Sequence, residues 1–357
     1  MRKCSKRCRQ NLTSSAWFRT GISSGLAGVV LAGVVLTTPA SSEQLAITAR
    51  QIPGNLTIAA MTTAANNLWI ANSANNSLVE ISASNGAFIR TVTSRSNDIN
   101  GPTALTSQGG HLWVANYNAN SVSEFSASSG KLLGSFTSHK YRFSGPDGIV
   151  VVGSVVWVAN QNGNSVTGFN QLSGAVVAVD SSKVFQLQGP FGFASSGSNL
   201  WIASNSGPSV TEVSAVTGAL IRVVAGPKYR FNNPGSLSVS PGGLWIANFN
   251  GNSLTEVNAT DGTFVRSVAG KKYGLSVPGG LQLVNGDLWV ANNAGNSLTE
   301  VNAVNGSLIR VLRSSSYQFV EPTYFALSGV NLWVGGFQGQ KFTEIIGQSG
   351  QLERVVR

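Results

Sequence analysis

The chain has 357 residues, of which 42% are hydrophobic and only 11% are charged, and 41 are glycine. This composition excludes a highly charged disordered chain, and its richness in Gly, Ser and Asn favours a sheet protein with tight turns over a helical bundle. The net charge of +10 does not by itself indicate a nucleic-acid partner, because six basic residues and no acid lie in residues 1–40. The remainder carries 18 basic and 14 acidic residues, so the net charge of the folded part is only about +4 and is not evidence for a nucleic-acid partner.

Residues 1–40 have the pattern of an export signal. A basic stretch through Arg19 precedes an apolar run from Gly25 to Leu36, and small residues follow. This order predicts a signal peptide cleaved near Ala40, leaving 41–55 as an N-terminal segment. The apolar run is shorter than the roughly 20 residues of a membrane helix, although an uncleaved anchor is the alternative. We therefore expect a secreted protein or one of the periplasm or cell envelope, with no membrane contact beyond such an anchor.

Tryptophans spaced 44 residues apart show that the rest of the chain is a repeat. A glycine follows each of them by 17 residues, and a proline precedes six of the seven by 11 residues. The surrounding phrases are similar, as in LWVANYNANSVSEF at 112–125 and LWIANFNGNSLTEV at 244–257. A regular period of this length indicates a repeat architecture. The repeated tryptophans are Trp69, Trp113, Trp157, Trp201, Trp245, Trp289 and Trp333.

Each repeat predicts four short strands, a to d, separated by turn-forming residues. In the fifth repeat they are expected over Gly235–Ser240, Leu244–Ala247, Ser253–Ala259 and Thr263–Val268. Four antiparallel strands in about 40–50 residues make one propeller blade. Residues 56–357 therefore predict an all-β, seven-bladed β-propeller of four-stranded antiparallel blades. How the ring closes stays open, because the last repeat owns a d strand at 351–356 while residues 44–48 could add to an edge.

The repeat phrases resemble those of YVTN/NHL-type bacterial propellers. The resemblance rests on VAN-x₃-NSVTE, on the TG that follows it and on the Pro-x-Gly that starts the next blade, and it covers residues 56–357. It implies an exported propeller with an envelope or binding role, without implying one activity. Propellers of this general group also include lactonases and streptogramin lyases, which use metals, histidines and carboxylates around the central channel.

Residues common to all blades are expected to serve the fold, whereas residues that break the repeat are better functional candidates. The tryptophans should fill the space between blades, and paired asparagines such as Asn248 and Asn252 should brace the b–c loop, with contact to a polar ligand as the alternative. Five blades pair a glutamate 11 residues after Trp with an arginine 21 residues after it, and these should meet across the c–d hairpin. The pairs are Glu80–Arg90, Glu212–Arg222, Glu256–Arg266, Glu300–Arg310 and Glu344–Arg354.

One face of the ring should carry the d–a and b–c loops, because the strands alternate in direction. An aromatic residue recurs in these d–a loops and is expected to pack beneath them, while basic neighbours point outward and attract an anionic ligand. A merely solvated basic surface is the alternative. The candidate binding residues in the d–a loops are Lys140, Tyr141, Arg142, Lys228, Tyr229, Arg230, Lys272 and Tyr273.

Three further residues predict a site at the mouth of the central channel. The position two after each proline is small in five blades, which suits a crowded innermost strand, whereas blade seven has Tyr324 there. Asp147 and Glu321 place acids beside the prolines. Together these three residues form the second candidate binding site.

The sequence favours a non-catalytic binding or scaffold propeller over an enzyme. Cys4 and Cys8 lie in the predicted signal, and the two remaining histidines, His111 in an a–b loop and His139 in a d–a loop, should lie on opposite faces, so they cannot share a metal or act as an acid–base pair. We expect no catalytic residue, metal or cofactor. The expected partner is a polar or anionic envelope ligand or another protein, nucleic acid is not expected, and the protein should be a monomer. The alternative is a metal-assisted hydrolase or lyase that uses Asp147 or Glu321 at the channel.

Overall fold

A computed structural model of the protein describes residues 52, 54–93, 98–137 and 139–357. In these residues, 28 strands form seven four-stranded antiparallel sheets, each built from four consecutive strands. This arrangement confirms the predicted all-β, seven-bladed propeller. The predicted signal over 1–40 and the strand-like residues 44–48 lie outside the described residues. No helix in the described ranges is long and apolar enough to cross a membrane.

The first four blades contain strands β1 to β16. Blade 1 comprises β1–β4, at Ile58–Ala64, Asn67–Asn72, Ser77–Ser82 and Phe88–Thr93. Blade 2 comprises β5–β8, at Pro102–Gln108, His111–Asn116, Ser121–Ser126 and Leu132–Phe136. Blade 3 comprises β9–β12, at Pro146–Val152, Val155–Asn160, Ser165–Asn170 and Val176–Asp180. Blade 4 comprises β13–β16, at Pro190–Ser196, Asn199–Ser204, Ser209–Ser214 and Leu220–Ala225.

The last three blades contain strands β17 to β28. Blade 5 comprises β17–β20, at Pro234–Ser240, Gly243–Asn248, Ser253–Val257 and Phe264–Val268. Blade 6 comprises β21–β24, at Pro278–Val284, Asp287–Asn292, Ser297–Asn302 and Leu308–Leu312. Blade 7 comprises β25–β28, at Pro322–Ser328, Asn331–Gly336, Phe342–Ile346 and Leu352–Val356. Short 3₁₀ turns lie in the d–a loops at His139–Tyr141, Lys183–Phe185, Pro227–Tyr229, Lys271–Tyr273 and Ser315–Tyr317.

The strand bounds predicted for the fifth repeat agree with the structure to within two residues. The largest difference is at β19, which ends at Val257 rather than at Ala259. Asn258 already belongs to the c–d turn, where its side-chain Oδ1 accepts a hydrogen bond from the Thr260 amide at 2.7 Å. This side chain stabilises the turn locally, as asparagine commonly does.

The repeated tryptophans hold neighbouring blades together, as predicted. All seven are fully buried on the second strand of their blade. Trp69 of blade 1 shares a core with Leu112 and Phe125 of blade 2, and the same pattern repeats from blade to blade. Burial of so large a side chain at each interface makes the tryptophans the main apolar contribution to blade packing.

Among the described residues, the ring closes by packing of blade 7 against blade 1. In these residues blade 7 consists of β25–β28 and blade 1 of β1–β4, with no strand exchanged between them. Trp333 and Phe342 of blade 7 share one core with Ile58 of blade 1 and with Ile52 and Leu56, which precede β1. The N-terminal approach to blade 1 therefore contributes apolar side chains to the last interface.

The five predicted Glu–Arg pairs are all present. Their Nε to Oε2 distances are 2.5 to 2.7 Å. Arg90 also donates from Nη2 to the Ser128 carbonyl oxygen of blade 2 at 3.0 Å, so this pair links two blades. Burial raises the pKa of each paired glutamate against the effect of its arginine, and raises that of Glu300 to about 7, where the charge of Asp287 adds to the effect.

The Glu212–Arg222 pair tests how far these ion pairs stabilise the blade. Arg222→Ala is expected to lower the free energy of unfolding by about 2–3 kcal/mol, because it leaves the buried Glu212 carboxylate without its cation. Adding Glu212→Gln removes that stranded charge, so the double variant should recover about 1 kcal/mol. Urea unfolding of the two single variants and the double variant measures the coupling. A double variant whose loss equals the sum of the single losses would show that the pair is not coupled.

Candidate functional site

A cavity of about 490 Å³ lies at the central channel, and residues of all seven blades line it. The first strand of each blade is innermost, and the cavity is lined by the opening residues of these strands together with Ser73 and Phe337 of two b–c loops. Strand a begins on the face that carries the d–a and b–c loops. The cavity therefore belongs to the face on which the sequence predicted a ligand.

Small residues line the channel because the innermost strands approach one another closely. A Cβ atom built on Gly148 would collide with the carbonyl oxygen of Phe191 in the next blade, and one on Gly192 with the carbonyl oxygen of Gly235. Gly280 stands in the same relation to Thr323. The prediction that small residues suit a crowded innermost strand is confirmed.

The residue directly after the first residue of each innermost strand varies among the blades, with glycine and threonine each occurring twice. The seven residues are Ala59, Thr103, Asp147, Phe191, Gly235, Gly279 and Thr323, and all except Gly235 line the cavity. Sequence reasoning singled out Asp147 in this set and missed Phe191 and Thr323. The signal was present, because this position holds five different residue types in seven blades.

Asp147 is the acidic side chain in the lining of this cavity. Its Oδ2 accepts a hydrogen bond from Nε2 of Gln161 at 2.9 Å. Burial raises the pKa of Asp147 to about 7, and a hydrogen bond with Thr103 opposes the rise. Asp147 therefore titrates near neutrality, and it offers the cavity either a carboxylate or a protonated carboxyl group.

Tyr324 lines the same cavity, as the sequence suggested. Burial raises the pKa of its phenol, and the negative charge of Asp147 raises it further. The hydroxyl is therefore protonated at neutral pH and can donate a hydrogen bond to a ligand.

Glu321 does not join Asp147 and Tyr324 in the cavity wall. It lies in the turn before β25 with a φ of 44°, and its amide donates to Oδ1 of Asn296 at 2.8 Å. Its carbonyl oxygen accepts from Oγ1 of Thr323 at 2.7 Å. The backbone of Glu321 thus shapes the turn that leads into the channel strand, and a role of its side chain in ligand binding stays a prediction.

A second irregular position, which sequence reasoning also missed, borders the channel four residues after each tryptophan. It brings amides against the cavity wall: Gln161 binds Asp147, and Nδ2 of Asn293 donates to Oγ1 of Thr323 at 2.9 Å. Phe337 at this position is 43% exposed and lines the cavity, so an aromatic surface is available there. The seven residues are Ser73, Tyr117, Gln161, Asn205, Phe249, Asn293 and Phe337.

The tyrosines of the d–a loops pack beneath the loops, as predicted. Tyr141, Tyr229 and Tyr273 are buried. Their hydroxyls donate to the carbonyl oxygens of Gly174, Gly262 and Gly306 at 2.9, 3.1 and 3.1 Å. These contacts give the three tyrosines a complete structural role, and direct contact with a ligand stays a prediction.

The basic residues beside these tyrosines are exposed. The Nζ atoms of Lys140, Lys228 and Lys272 lie 4.8 to 4.9 Å from the centroid of the neighbouring tyrosine ring, a cation–π distance. Arg142 and Arg230 follow in the left-handed conformation, with φ of 49° and 54°. The structure therefore places all five basic candidates on the surface of the face that carries the cavity.

The paired asparagines of the b–c loops bond within the protein. Oδ1 of Asn252 accepts from the Val277 amide at 2.7 Å, and Nδ2 of Asn248 donates to Oγ1 of Thr255 at 3.0 Å. Asn120 repeats the first contact with the amide of Gly145 at 2.7 Å. These contacts favour the structural interpretation of the asparagine ring over its alternative.

The two histidines lie at opposite ends of their blades. His111 is the first residue of β6 rather than part of the preceding turn, and its Nδ1 pairs with Oε1 of Glu124 at 2.5 Å. His139 begins the 3₁₀ turn on the other face. In the described ranges, no group of three or more His, Cys, Asp or Glu side chains is placed to hold a metal ion.

Replacing Asp147 with asparagine is expected to remove part of the pH dependence of stability. The folded pKa of about 7 lies above the ordinary value of 3.8, so the ionised carboxylate destabilises the folded state. This penalty is absent below about pH 4 and complete above about pH 7. Asp147→Asn should therefore match the wild type at pH 4 and exceed it by on the order of 2 kcal/mol at pH 8.

Urea unfolding of both proteins at the two pH values checks this expectation. The other titrating groups are common to the two proteins, so their difference isolates Asp147. A difference that stays the same at pH 4 and pH 8 would contradict the raised pKa.

Several solved structures share this fold at low sequence identity. A streptogramin B lyase is 16% identical with a TM-score of 0.66, and the match covers 79% of this chain and 91% of that one. A catalytically inactive virginiamycin B lyase from Staphylococcus aureus, with quinupristin, is 17% identical with a TM-score of 0.67, and 82% and 97% of the two chains are covered. BamB from Moraxella catarrhalis is 14% identical with a TM-score of 0.54, and 79% and 81% are covered.

The sequence comparisons add no family. No protein-family model matches the chain, and no curated protein matches it. At identities this low a structural likeness shows the fold alone. The solved structures that share the fold of this chain include lyases as well as BamB.

Proposed function

We propose that this protein is an exported, non-catalytic binding propeller that meets its ligand on the face of the d–a and b–c loops, at the mouth of the central channel. One observation carries the proposal: the wall of the cavity of about 490 Å³ includes positions at which the blades differ from one another. If all seven blades were identical, the same small residue in each would suffice at the channel wall. Asp147, Phe191, Tyr324 and Phe337 depart from that pattern, and all four line the cavity.

The chemistry of the wall suits a binding pocket. Ligand pockets combine apolar and aromatic lining with a few polar groups that fix orientation. Phe191 and Phe337 supply aromatic area, Asp147 supplies an acceptor or donor, and Tyr324 supplies a hydroxyl donor. The ligand that fits is a polar or anionic component of the cell envelope, or a segment of another protein.

Export, repeat type and oligomeric state belong to the same proposal. The pattern over 1–40 supports secretion or retention in the periplasm or envelope. The phrase VAN-x₃-NSVTE supports a YVTN/NHL-type repeat. The ring of seven blades packs its first blade against its last, which supports a monomer.

A hydrolase or lyase at the channel is the second candidate, favoured by the pKa of Asp147 near 7 in the same cavity as Tyr324. The residues present do not fit a catalytic metal. Asp147 is the one acid, and no histidine belongs to the residues that line this cavity. A single carboxylate leaves most coordination positions of a divalent metal unfilled.

Capture from a soluble envelope extract of the producing cells tests the proposal. The protein, in the form in which those cells produce it, is immobilised beside a cavity variant, Tyr324→Gly with Phe337→Ala. Glycine already occupies the position of Tyr324 in blade 6, and Phe337 is half exposed. A control variant, Leu172→Ala with Val216→Ala, changes exposed side chains on the opposite face.

The expected result is a component that the wild type and the control retain and the cavity variant retains at least tenfold less. Equal retention by all three proteins would overturn the channel site. Chemical conversion of the retained component, lost on Asp147→Asn, would replace the binding function with the enzymatic one.

A further inference from the structure

The face that carries the cavity also carries exposed cations, in d–a loops whose turns pack against the outermost strands of the blades. We infer that the ligand is a linear polyanion, a polymer with phosphate, sulfate or carboxylate groups repeated along its chain, held along these loops; the inference rests on the proposed function. The cations, called the basic rim below, all lie in d–a loops and are all exposed. They are Lys140, Arg142, Lys183, Lys228, Arg230, Lys271, Lys272 and Arg313.

Few carboxylates oppose the basic rim. The acids in the described part of this face are Asp98, Asp147, Asp180 and Glu321, against eight cations. Asp147 belongs to the cavity wall, and Asp180 is partly buried at the end of β12. The excess positive charge of the described residues is therefore concentrated on the outer part of this face, where it attracts anions.

The fold holds these cations in repeated positions. Lys140, Lys228 and Lys272 each lie over the ring of a buried tyrosine at nearly the same distance, 4.8 to 4.9 Å. Successive lysines are thus displaced by whole blades around the ring axis. Arg142 and Arg230 end their 3₁₀ turns in matching left-handed conformations. A planar guanidinium binds phosphate, sulfate or carboxylate through two parallel hydrogen bonds, and a chain of such groups can follow the arc from loop to loop.

The surroundings of the basic rim favour a polymer over a membrane or a nucleic acid. Bases bind through stacking on exposed aromatic rings, but Tyr141, Tyr229 and Tyr273 are buried with 4 to 8% exposure, and Tyr317 is partly buried. A membrane surface needs apolar side chains that insert. In the d–a loops that the structure describes, the large exposed apolar residues are Val184 and Val320 alone.

Fluorescence titration at 50 mM and 200 mM salt tests the inference. The probes are labelled inorganic polyphosphate, heparin and polygalacturonate, which separate phosphate, sulfate and carboxylate polymers, with neutral dextran as a blank. The rim variant is Lys228→Ala, Arg230→Ala and Lys272→Ala. The control variant is Leu172→Glu, Val216→Glu and Val304→Glu, which removes the same net charge at exposed turns of the opposite face.

We expect the wild type and the control to bind at least one polyanion, with affinity that falls steeply with salt, and not to bind dextran. The rim variant should bind at least tenfold more weakly at 50 mM salt, with a shallower salt dependence. Equal weakening in the rim and control variants would show that net charge alone acts and would overturn the inference. Tighter binding to an oligothymidine of equal charge, or to phosphatidylglycerol vesicles, would overturn it in favour of nucleic acid or membrane.

The two experiments distinguish a failure of this inference from a failure of the proposed function. If no polyanion binds the wild type while the cavity-dependent capture from envelope extract persists, the ligand class is wrong and the binding function stands. If that capture fails as well, both are wrong.

Discussion

Replacing Trp245 with alanine is expected to lower the free energy of unfolding by about 3–5 kcal/mol. The indole is fully buried and shares a core with Leu288 and Val290 of the next blade. Its Nε1 donates to the carbonyl oxygen of Ala303 at 3.1 Å. Alanine would leave a void between two blades that close packing on both sides cannot collapse, and it would leave that carbonyl unpaired. Urea unfolding followed by circular dichroism measures the loss.

A matched pair of phenylalanine variants separates the hydrogen bond from the packing. Trp201 occupies the same position in blade 4 and is equally buried, but its Nε1 has no hydrogen-bond partner among the described residues. Trp245→Phe should therefore cost about 1–2 kcal/mol more than Trp201→Phe. Equal costs would show that the indole hydrogen bond contributes nothing at the blade interface.

The seven tryptophans explain why the architecture could be predicted from the sequence. Each blade makes the same packing contacts, so the residue types that these contacts require recur seven times in the sequence. The spacing of Trp69 to Trp113, repeated along the chain, fixed both the number of blades and the second strand of each. The Glu80–Arg90 spacing likewise predicted a contact that the strand register places directly opposite.

The channel site was predicted only in part, for the opposite reason. Asp147 and Tyr324 stood out as departures from the repeat, and both line the cavity. Glu321 stood out equally, but its backbone forms the turn before β25 through hydrogen bonds with Asn296 and Thr323. Such a backbone role depends on the conformation of the turn and cannot be inferred from residue types. Phe191 and Phe337 were missed because aromatic residues are also common in propeller cores. Only the structure shows that these two line an open cavity.

Replacing Gly192 with valine is expected to destabilise the propeller by about 3 kcal/mol or more. The glycine has no positive φ, so its backbone conformation does not require glycine. The lack of space requires glycine here, because a Cβ atom would collide with the carbonyl oxygen of Gly235 on the neighbouring innermost strand. A backbone carbonyl cannot rotate away as a side chain can, so the two blades must separate at the channel. That separation would also weaken the core below, where Trp201 packs against Leu237.

Ala104→Val supplies the control at the equivalent position of blade 2. Ala104 already carries a Cβ atom, lines the cavity and packs against the core of Trp113 and Ile149, so its added methyl groups meet no backbone collision of the kind at Gly192 and should cost about 1–2 kcal/mol. The contrast separates the crowding between strands from any general intolerance of the channel to larger residues. Equal losses in the two variants would mean that the channel wall rejects added volume everywhere, and in that case the cavity could not admit a ligand without widening. A large loss for Gly192→Val alone would instead support a rigid ring of strands around a cavity that is open before any ligand binds.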